Sequence, residues 1–404
     1  MYATVALVAL LSGGAQDVGA AWTAWRNGDI DKAHEIVHDV KESQSRQHLM
    51  FLIDFVLGKY EDTLLHYNSI RPEYPRFKEL DEPVMHAYWH LGMEKAAHEF
   101  AKMRGLTGDL LASAETRAER PVSVVLDKVT TIPFADHLLT QYFPAFSTEV
   151  NGQQTLAHID TGGTFLIMGP AKAKSFGIET VDAGKGYHGT KLVPLEVGIA
   201  NSFKIGDAVL KNVPVAVMPT FTGAQDFVIF GTNVISKFLT TIDYEKKQMT
   251  LSLRGDEQQA EAHIKILSEG TTEVPFYMWA DHYMFVRGGF GNEKGLNFFV
   301  DSGLVSITQE DDGSWRQACF TATESHFKKW GVGAESANKE FFESELPITI
   351  GPLVQTRQYF TVINDPSWTN FGGVRIDGLI SHAFFNKYTW TIDFDRRVYL
   401  FGKQ

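Results

Sequence analysis

Residues 158–163 read HIDTGG and residues 299–303 read FVDSG. In each stretch an Asp follows an apolar run that is typical of a buried strand, and a hydroxyl residue and a glycine come next. The two aspartates, Asp160 and Asp301, lie 141 positions apart. Two such loops in one chain predict a pair of carboxylates that meet. Carboxylates in contact cannot both ionise, so the pair shares one proton and offers a general base beside a general acid.

The residues beside each aspartate are suited to holding it in place. Gly162 and Gly303 allow the unusual dihedrals of a tight loop and let backbone approach a carboxylate. Thr161 and Ser302 carry hydroxyl groups that we expect to hydrogen-bond across to the opposite loop. The sequence therefore predicts two loops that are locked together in register.

The region that holds both aspartates contains an internal duplication. TIDY at 241–244 recurs as TIDF at 391–394, and a basic turn and a short strand follow each copy. These landmarks keep the same order as the two Asp loops, and the residues between them are rich in β-branched and aromatic types. The sequence predicts two pseudo-symmetric, β-barrel-like lobes, lobe one at 125–255 and lobe two at 270–404.

The N-terminal part has a different pattern. Residues 16–118 have the apolar spacing of paired helices, with turn glycines at Gly28, Gly58 and Gly92, spaced 30 and 34 apart. A helix-Gly-helix unit with a period near 34 resembles tetratricopeptide repeats. Two interpretations remain open: a concave docking surface for a protein partner, or an appendage that packs against the next domain. The predicted fold class is therefore multidomain, helical first and then all-β.

The first fifteen residues also allow two interpretations. Residues 1–15 combine a short apolar run with small residues, as a secretory signal peptide does, but lack its positively charged start. The alternative is the apolar beginning of the first helix. A signal peptide would place the protein in the periplasm or outside the cell, and its absence would leave the protein in the cytoplasm. No other segment has the length of apolar sequence that a membrane span needs.

Composition excludes several classes of partner. The net charge is −12 and no basic run is present, which argues against nucleic acid or an anionic membrane as the partner. Cys319 is the one cysteine of the sequence, so no intramolecular disulfide can form. No Cys/His spacing indicates a zinc site, and we expect neither a metal nor a cofactor.

The two loops, Asp160-Thr161-Gly162 and Asp301-Ser302-Gly303, together with the IFG element at 229–231, resemble the aspartic peptidase superfamily. Lobe one is most similar to retropepsin-type domains of bacteria, and two lobes in one chain are similar to pepsin-like enzymes. The resemblance implies an aspartic endopeptidase that cleaves a peptide or protein held between the lobes. It also implies that Asp160 and Asp301 are the catalytic residues and that one chain, as a monomer, holds the complete active site.

Some positions depart from the family pattern. Gly163 and Leu304 follow the two loops where Ala or Ser is usual, and Ser381 replaces the glycine of the second apolar-apolar-Gly element. These changes favour a different class of function, a catalytically degenerate module that binds a peptide or protein. A glycosidase with two carboxylates is disfavoured, because its carboxyl groups stand at least about 5 Å apart.

A cover over the cleft is also expected. Residues 183–189 read AGKGYHG and predict a glycine-rich hairpin turn, with Tyr187 at its tip in reach of substrate. The alternative is an ordinary mobile hairpin, because glycines report turn geometry rather than function.

Overall fold

A computed structural model describes residues 18–403, except 190, 222, 224, 225, 268, 269 and 365. The predicted signal peptide at 1–15 lies outside the described residues. Among the residues described, none of the helices is both long and apolar enough to span a bilayer.

The described part of the chain begins with helices that pack in sequential pairs. They are α1 (Val18–Arg26), α2 (Ile30–His38), α3 (Gln44–Val56), α4 (Tyr60–Ser69), α5 (Asp81–His90), α6 (Glu94–Arg104) and α7 (Asp109–Glu119), with a 3₁₀ turn at Phe77–Leu80 before α5.

The turn glycines end the first helix of each pair in the same way. Gly28, Gly58 and Gly92 have φ values of 69°, 78° and 69°, in the left-handed region that glycine adopts without strain. After α1, the amide of Asp29 donates to the carbonyl of Ala24 at 2.9 Å, and equivalent bonds of 2.8 Å close α3 and α5. This pattern satisfies carbonyls that a helix end leaves unpaired. The assignment to tetratricopeptide repeats stays a prediction.

The first two of these turns, at Gly28 and Gly58, face lobe two. A Cβ added at Gly28 would lie 2.1 Å from Oδ1 of Asn297, and a Cβ added at Gly58 would lie 2.3 Å from Nε of Arg397. The Asn297 amide also donates to the carbonyl of Asn27 at 3.0 Å. Each glycine therefore provides the space in which a lobe-two side chain docks.

A hydrophobic cluster continues from the helices into lobe two. Trp25 and Phe55 belong to the same cluster of buried side chains as Phe285 and Phe299. Phe299 comes shortly before Asp301 on the same strand. On the side that faces lobe two, the helical region therefore fits the second interpretation, an appendage that packs against the next domain.

Lobe one contains most of the earlier strands. They are β1 (Ser123–Val125), β2 (Thr130–Pro133), β3 (Ala145–Val150), β4 (Gln153–Asp160), β5 (Leu166–Met168), β6 (Thr180–His188), β7 (Lys191–Ile205), β8 (Ala208–Val217), β9 (Val228–Gly231), β10 (Phe238–Asp243) and β11 (Gln248–Leu253). Its short helices are α8 (Pro170–Ser175) and α9 (Thr232–Ile235), and α10 (Glu257–Ile264) lies between the two lobes in the sequence.

Lobe two contains the later strands. They are β12 (Thr272–Pro275), β13 (Tyr277–Trp279), β14 (Tyr283–Phe290), β15 (Glu293–Asp301), β16 (Ile307–Gln309), β17 (Trp315–Ala322), β18 (Phe341–Ser344), β19 (Ile348–Ile350), β20 (Leu353–Gln355), β21 (Gln358–Val362), β22 (Asn370–Phe371), β23 (Val374–Arg375), β24 (Gly378–Ser381), β25 (Tyr388–Asp393) and β26 (Val398–Lys403). Its helices are α11 (Glu324–Lys329), α12 (Ala334–Ala337) and α13 (His382–Phe385).

One sheet is built from both lobes. Its strand order is β12-β26-β25-β10-β11-β2, so that lobe-one and lobe-two strands meet where β10 pairs with β25. Thr241 lies opposite Thr391 in this antiparallel pair, and their hydroxyl groups are 2.7 Å apart. The duplicated TID segments are therefore neighbours at the join. The predicted order of a helical region followed by β-rich, barrel-like domains is confirmed, while the residue boundaries of the domains stay predictions.

Candidate active site

The two aspartates lie at the ends of strands with the same pairing. Asp160 ends β4, which runs parallel to β9 and places the aspartate beside Gly231. Asp301 ends β15, which runs parallel to β24 and places it beside Ser381. Both carboxyl groups therefore lie at strand ends, in loops that face each other.

Hydrogen bonds between Thr161 and Ser302 connect the loops. The Thr161 hydroxyl donates to the carbonyl of Val300 at 2.9 Å and accepts from the Ser302 amide at 2.9 Å. The Ser302 hydroxyl accepts from the Thr161 amide at 2.9 Å and donates to the carbonyl of Ile159 at 3.4 Å. Both side chains are fully buried. Each loop therefore supplies a hydroxyl that fixes the backbone of the other.

Gly162 and Gly303 let each carboxyl group sit against the opposite loop. A Cβ at Gly162 would lie 2.6 Å from Cγ of Asp301, and a Cβ at Gly303 would lie 2.3 Å from Cγ of Asp160. Any other residue would collide with the opposite carboxyl group. The glycine amides also donate to the aspartate of their own loop, at 2.7 Å for Asp160 and 2.9 Å for Asp301.

The two carboxyl groups are hydrogen-bonded to each other, and their electrostatics differ. Burial, the charge of Asp160 and the hydrogen bond to Asp160 hold the pKa of Asp301 well above its ordinary value. Burial also raises the pKa of Asp160, but the hydrogen bond from Asp301, the amides of Gly162 and Gly303 and the charge of His282 act against that rise. Because two buried carboxyl groups in contact cannot both ionise, the pair shares one proton.

The surroundings of Gly231 in lobe one and of Ser381 in lobe two explain why only lobe two can hold a serine at this position. A Cβ at Gly231 would lie 1.9 Å from the carbonyl oxygen of Thr164, so lobe one has no room for a side chain there. In lobe two the Ser381 hydroxyl donates to the carbonyl of Ala318 at 2.6 Å and accepts from the amide of Ala383 at 3.3 Å. The serine hydroxyl is thus satisfied, and it caps α13.

The two other departures from the family pattern, Gly163 and Leu304, can also be explained by their surroundings. A Cβ at Gly163 would lie 3.3 Å from Cδ1 of Ile167 and 3.4 Å from Oδ2 of Asp160, which is tight but not closed. Leu304 packs against the hydrophobic cluster that lobe two shares with the helical region. The residue after the second loop is therefore used for domain packing.

The predicted cover differs in detail from the structure. Most of residues 183–189 belong to strand β6, which forms a long antiparallel hairpin with β7, so the prediction of a turn there is wrong. The tip comes at Gly189, because His188 pairs with Lys191. Tyr187 is opposite Leu192 and is 59% exposed.

His188, next to Tyr187, has the surroundings of a cleft residue. Its ring lies 4.7 Å from that of Phe221, and it is half-buried. Burial lowers its pKa below the ordinary value, although the charge of Asp160 acts to raise it. Sequence reasoning missed this histidine, and no local signal marks it, because the irregular pairing between Asp182 and Lys185 breaks the alternation of the strand.

The tip of the hairpin touches lobe two. The carbonyl of Gly189 accepts a hydrogen bond from the hydroxyl of Ser367 at 3.1 Å. The hairpin therefore bridges the two lobes at its tip.

The histidines beside the site are packing residues. His158 bonds through Nδ1 to the carbonyl of Phe143 at 2.8 Å, and burial lowers its pKa to about 4. His382 lies 3.2 Å from the hydroxyl of Tyr244, and burial lowers its pKa to about 3. Within the described ranges, no group of three or more His, Cys, Asp or Glu side chains is arranged to hold a metal ion.

Comparison with known proteins gives one family match. Residues 146–234 match the family model described as Aspartyl protease. A solved retropepsin-like aspartic protease from Rickettsia conorii is 18% identical, over 33% of this chain and 93% of that chain, with a TM-score of 0.25. An aspartic proteinase from Irpex lacteus is 10% identical, over 68% of this chain and 97% of that chain, with a TM-score of 0.40. No curated protein matches the chain. The matched segment contains the first Asp loop and the IFG element.

Proposed function

We propose that the chain is a member of the aspartic peptidase superfamily, whose family model matches residues 146–234, and that it is an aspartic endopeptidase with Asp160 and Asp301 as its catalytic residues. The observation that carries the proposal is the hydrogen-bonded pair of carboxyl groups with pKa values raised unequally. Such a pair supplies a base and an acid within one site.

The proposed reaction uses a water held between the carboxyl groups. Asp160 takes a proton from this water as its oxygen attacks the scissile carbonyl carbon, and Asp301 gives its proton to the carbonyl oxygen. In the second step Asp301 takes a proton back from a hydroxyl of the tetrahedral intermediate. Asp160 then gives its proton to the amide nitrogen as the C–N bond breaks, which restores the starting charges.

We propose further that the two lobes are pseudo-symmetric and that one chain holds a complete site. Support comes from the parallel pairing of β4 with β9 and of β15 with β24, each ending at one aspartate. The shared central sheet, where β10 meets β25, supports the same proposal. The substrate would be an extended peptide between the lobes, beneath the β6–β7 hairpin.

Two other functions remain to be separated by experiment. In a degenerate binding module the cleft would hold a peptide without cutting it. The satisfied hydroxyl of Ser381 argues against damage to the site, and so favours the enzyme. A glycosidase is not supported, because the Asp160 and Asp301 carboxyl groups are in hydrogen-bond contact rather than about 5 Å or more apart.

The test is cleavage of a diverse peptide library between pH 3 and pH 7 by the parent, Asp160→Asn and Asp301→Asn. Each variant should lose about 10²–10⁴-fold in rate, because the general base or general acid is lost. Asp243→Asn is the matched control: Asp243 is a buried lobe-one carboxylate that accepts from the amide of Lys246 at 2.9 Å, and it should retain activity. A parent that binds peptides but cuts none would establish the binding module. Parental rates in both site variants would overturn the aspartic mechanism.

Export is part of the proposal. If residues 1–15 are a signal peptide, the mature protein is periplasmic or secreted, and N-terminal sequencing of protein from its native cells would begin after them. An intact N-terminus would overturn the export proposal.

A further inference from the structure

A buried carboxylate lies where the helical region meets both lobes. Asp281 is in the turn between β13 and β14 of lobe two and is 9% exposed. It lies 20 positions before Asp301 and outside both Asp motifs, so the sequence alone gives no indication of a role in catalysis.

Side chains from each of the neighbouring units converge on this carboxylate. Asn233 of lobe one donates from Nδ2 to Oδ2 at 2.7 Å, and Nδ1 of His282 lies 2.7 Å from Oδ1. From the helical region, Nη1 of Arg117 lies 3.4 Å from Oδ2 and Nδ1 of His86 lies 3.8 Å from Oδ1. A buried charge is stable only when partners of this kind surround it, and these contacts fix the position of each partner side chain.

The contact with Asn233 leads to the Asp160 loop. Asn233 follows Thr232 in the short helix α9. The Thr232 hydroxyl donates to the carbonyl of Thr161 at 2.8 Å, and its amide donates to the carbonyl of Gly163 at 2.9 Å. Asp281 therefore fixes α9, and α9 fixes the backbone that carries the first catalytic aspartate.

The contact with Arg117 leads to the same loop from the other side. Arg117 is near the end of α7 and is 6% exposed, with Nε 3.2 Å from Oε2 of Glu94. Its guanidinium lies 4.1 Å above the ring of Trp89 and 5.3 Å from the ring of Phe165. Phe165 comes directly after the Asp160 loop, so a cation of the helical region packs against the end of that loop.

Helix α7 also reaches the hairpin over the site. It packs against β6 and β7, and Ala112 contacts the apolar cluster beneath the hairpin that includes Ala183 and Leu195. The helical region thus touches both the Asp160 loop and its cover.

We propose that Asn233, Asp281 and Arg117 are positioning residues that couple the helical region to the Asp160 loop. The helical region is then part of the catalytic unit rather than a separable appendage. This inference rests on the proposed peptidase function and adds residues that the two Asp motifs do not contain.

The experiment measures kcat and KM of the full chain on a peptide that the parent cleaves. Asn233→Ala and Asp281→Asn should each lower kcat by about tenfold or more while KM changes by less than about twofold, because a small misplacement of a reacting group affects the transition state most. The kcat of the double variant should be no lower than that of the more impaired single variant, because the two residues act through one contact.

Asp81→Asn is the matched control. Asp81 is also 9% exposed and pairs with Arg104 at 2.7 Å, but it lies within the helical region away from the loops. This variant should lose thermal stability and keep the parental kcat.

The outcomes separate the two proposals. An active parent whose folded Asn233→Ala and Asp281→Asn variants keep the parental kcat overturns the positioning role and leaves the peptidase intact. If Asp281→Asn does not fold, Asn233→Ala decides alone, since Asp281 still has Arg117 and His282 as partners in that variant. A parent without activity on any peptide overturns the peptidase, and the positioning role with it.

Discussion

Thr161→Val tests the connection between the two Asp loops. Valine has nearly the shape of threonine, so the substitution removes the hydroxyl and leaves the volume of a fully buried position almost unchanged. The hydroxyl donates to the Val300 carbonyl and accepts from the Ser302 amide, both at 2.9 Å. The variant therefore loses two hydrogen bonds between loops that belong to different lobes.

The magnitude follows from these two bonds. The Ser302 amide has one hydrogen and would be left buried without its acceptor, which costs about 1–3 kcal/mol. Loss of the bond to the Val300 carbonyl costs about 1 kcal/mol more. We expect the free energy of unfolding to fall by about 2–4 kcal/mol, and the thermal midpoint of the β domains to fall by roughly 4–16 °C.

The assay is thermal unfolding by calorimetry at pH 7, with Thr161→Ser as the control. Serine keeps the hydroxyl and loses one methyl group, which is worth about 1 kcal/mol at a buried site. If Thr161→Val unfolds at the same temperature as Thr161→Ser, the cross-loop bonds do not stabilise the pair of lobes. The Asp loops would then be held by packing alone.

The remaining predictions concern charge, docking and assembly. The pKa of Asp301 is raised in the folded state, so the parent loses stability as pH rises above the ordinary Asp pKa, where the unfolded chain ionises more readily. Asp301→Asn removes this ionisation, and its melting temperature should therefore be higher than that of the parent at pH 7 and equal to it near pH 3. A lower melting temperature of the variant at pH 7 would contradict this. Gly58→Ala should destabilise more than Gly92→Ala, because both force left-handed backbone but only the first meets Arg397, and equal melting points would refute the docking contact. A fragment that begins at Val122 exposes the lobe-two side of the shared cluster and should aggregate in light scattering, whereas a monodisperse fragment would show that the helices are dispensable. Activity per molecule should not change on dilution, and a decline together with a dimer in sedimentation would show that active sites form between chains.

Sequence reasoning reached the parts of the site that local patterns encode. An Asp, a hydroxyl residue and a glycine at a strand end carry their roles within a few positions. The bonds between Thr161 and Ser302 could therefore be anticipated from the motif. Turn glycines such as Gly58 likewise indicated helix ends, because left-handed backbone favours that residue.

Two features could not be reached in this way. The pairing of β6 with β7 has an irregularity between Asp182 and Lys185, and a shift of one residue changes which side chains face the cleft. The sequence predicts a turn with Tyr187 at its tip and does not single out His188. Apart from the neighbouring His282, the partners of Asp281 (His86, Arg117 and Asn233) come from distant parts of the chain, so no window of sequence contains the cluster. Contacts of this kind depend on the tertiary arrangement, which the local pattern does not encode.

The sheet shared by the lobes has a consequence for biosynthesis. Thr241 of β10 pairs with Thr391 of β25, which is 150 residues later in the chain. During synthesis on a ribosome, the edge of β10 that pairs with β25 therefore stays unpaired until β25 has emerged. An unpaired edge in a partly made chain invites association with other nascent chains, which makes this stage suited to protection by a chaperone. The same delay means that the half of the molecule carrying Asp160 is made long before its partner half is complete. A cell that synthesises this protein is therefore not exposed to a finished site while the chain is still growing.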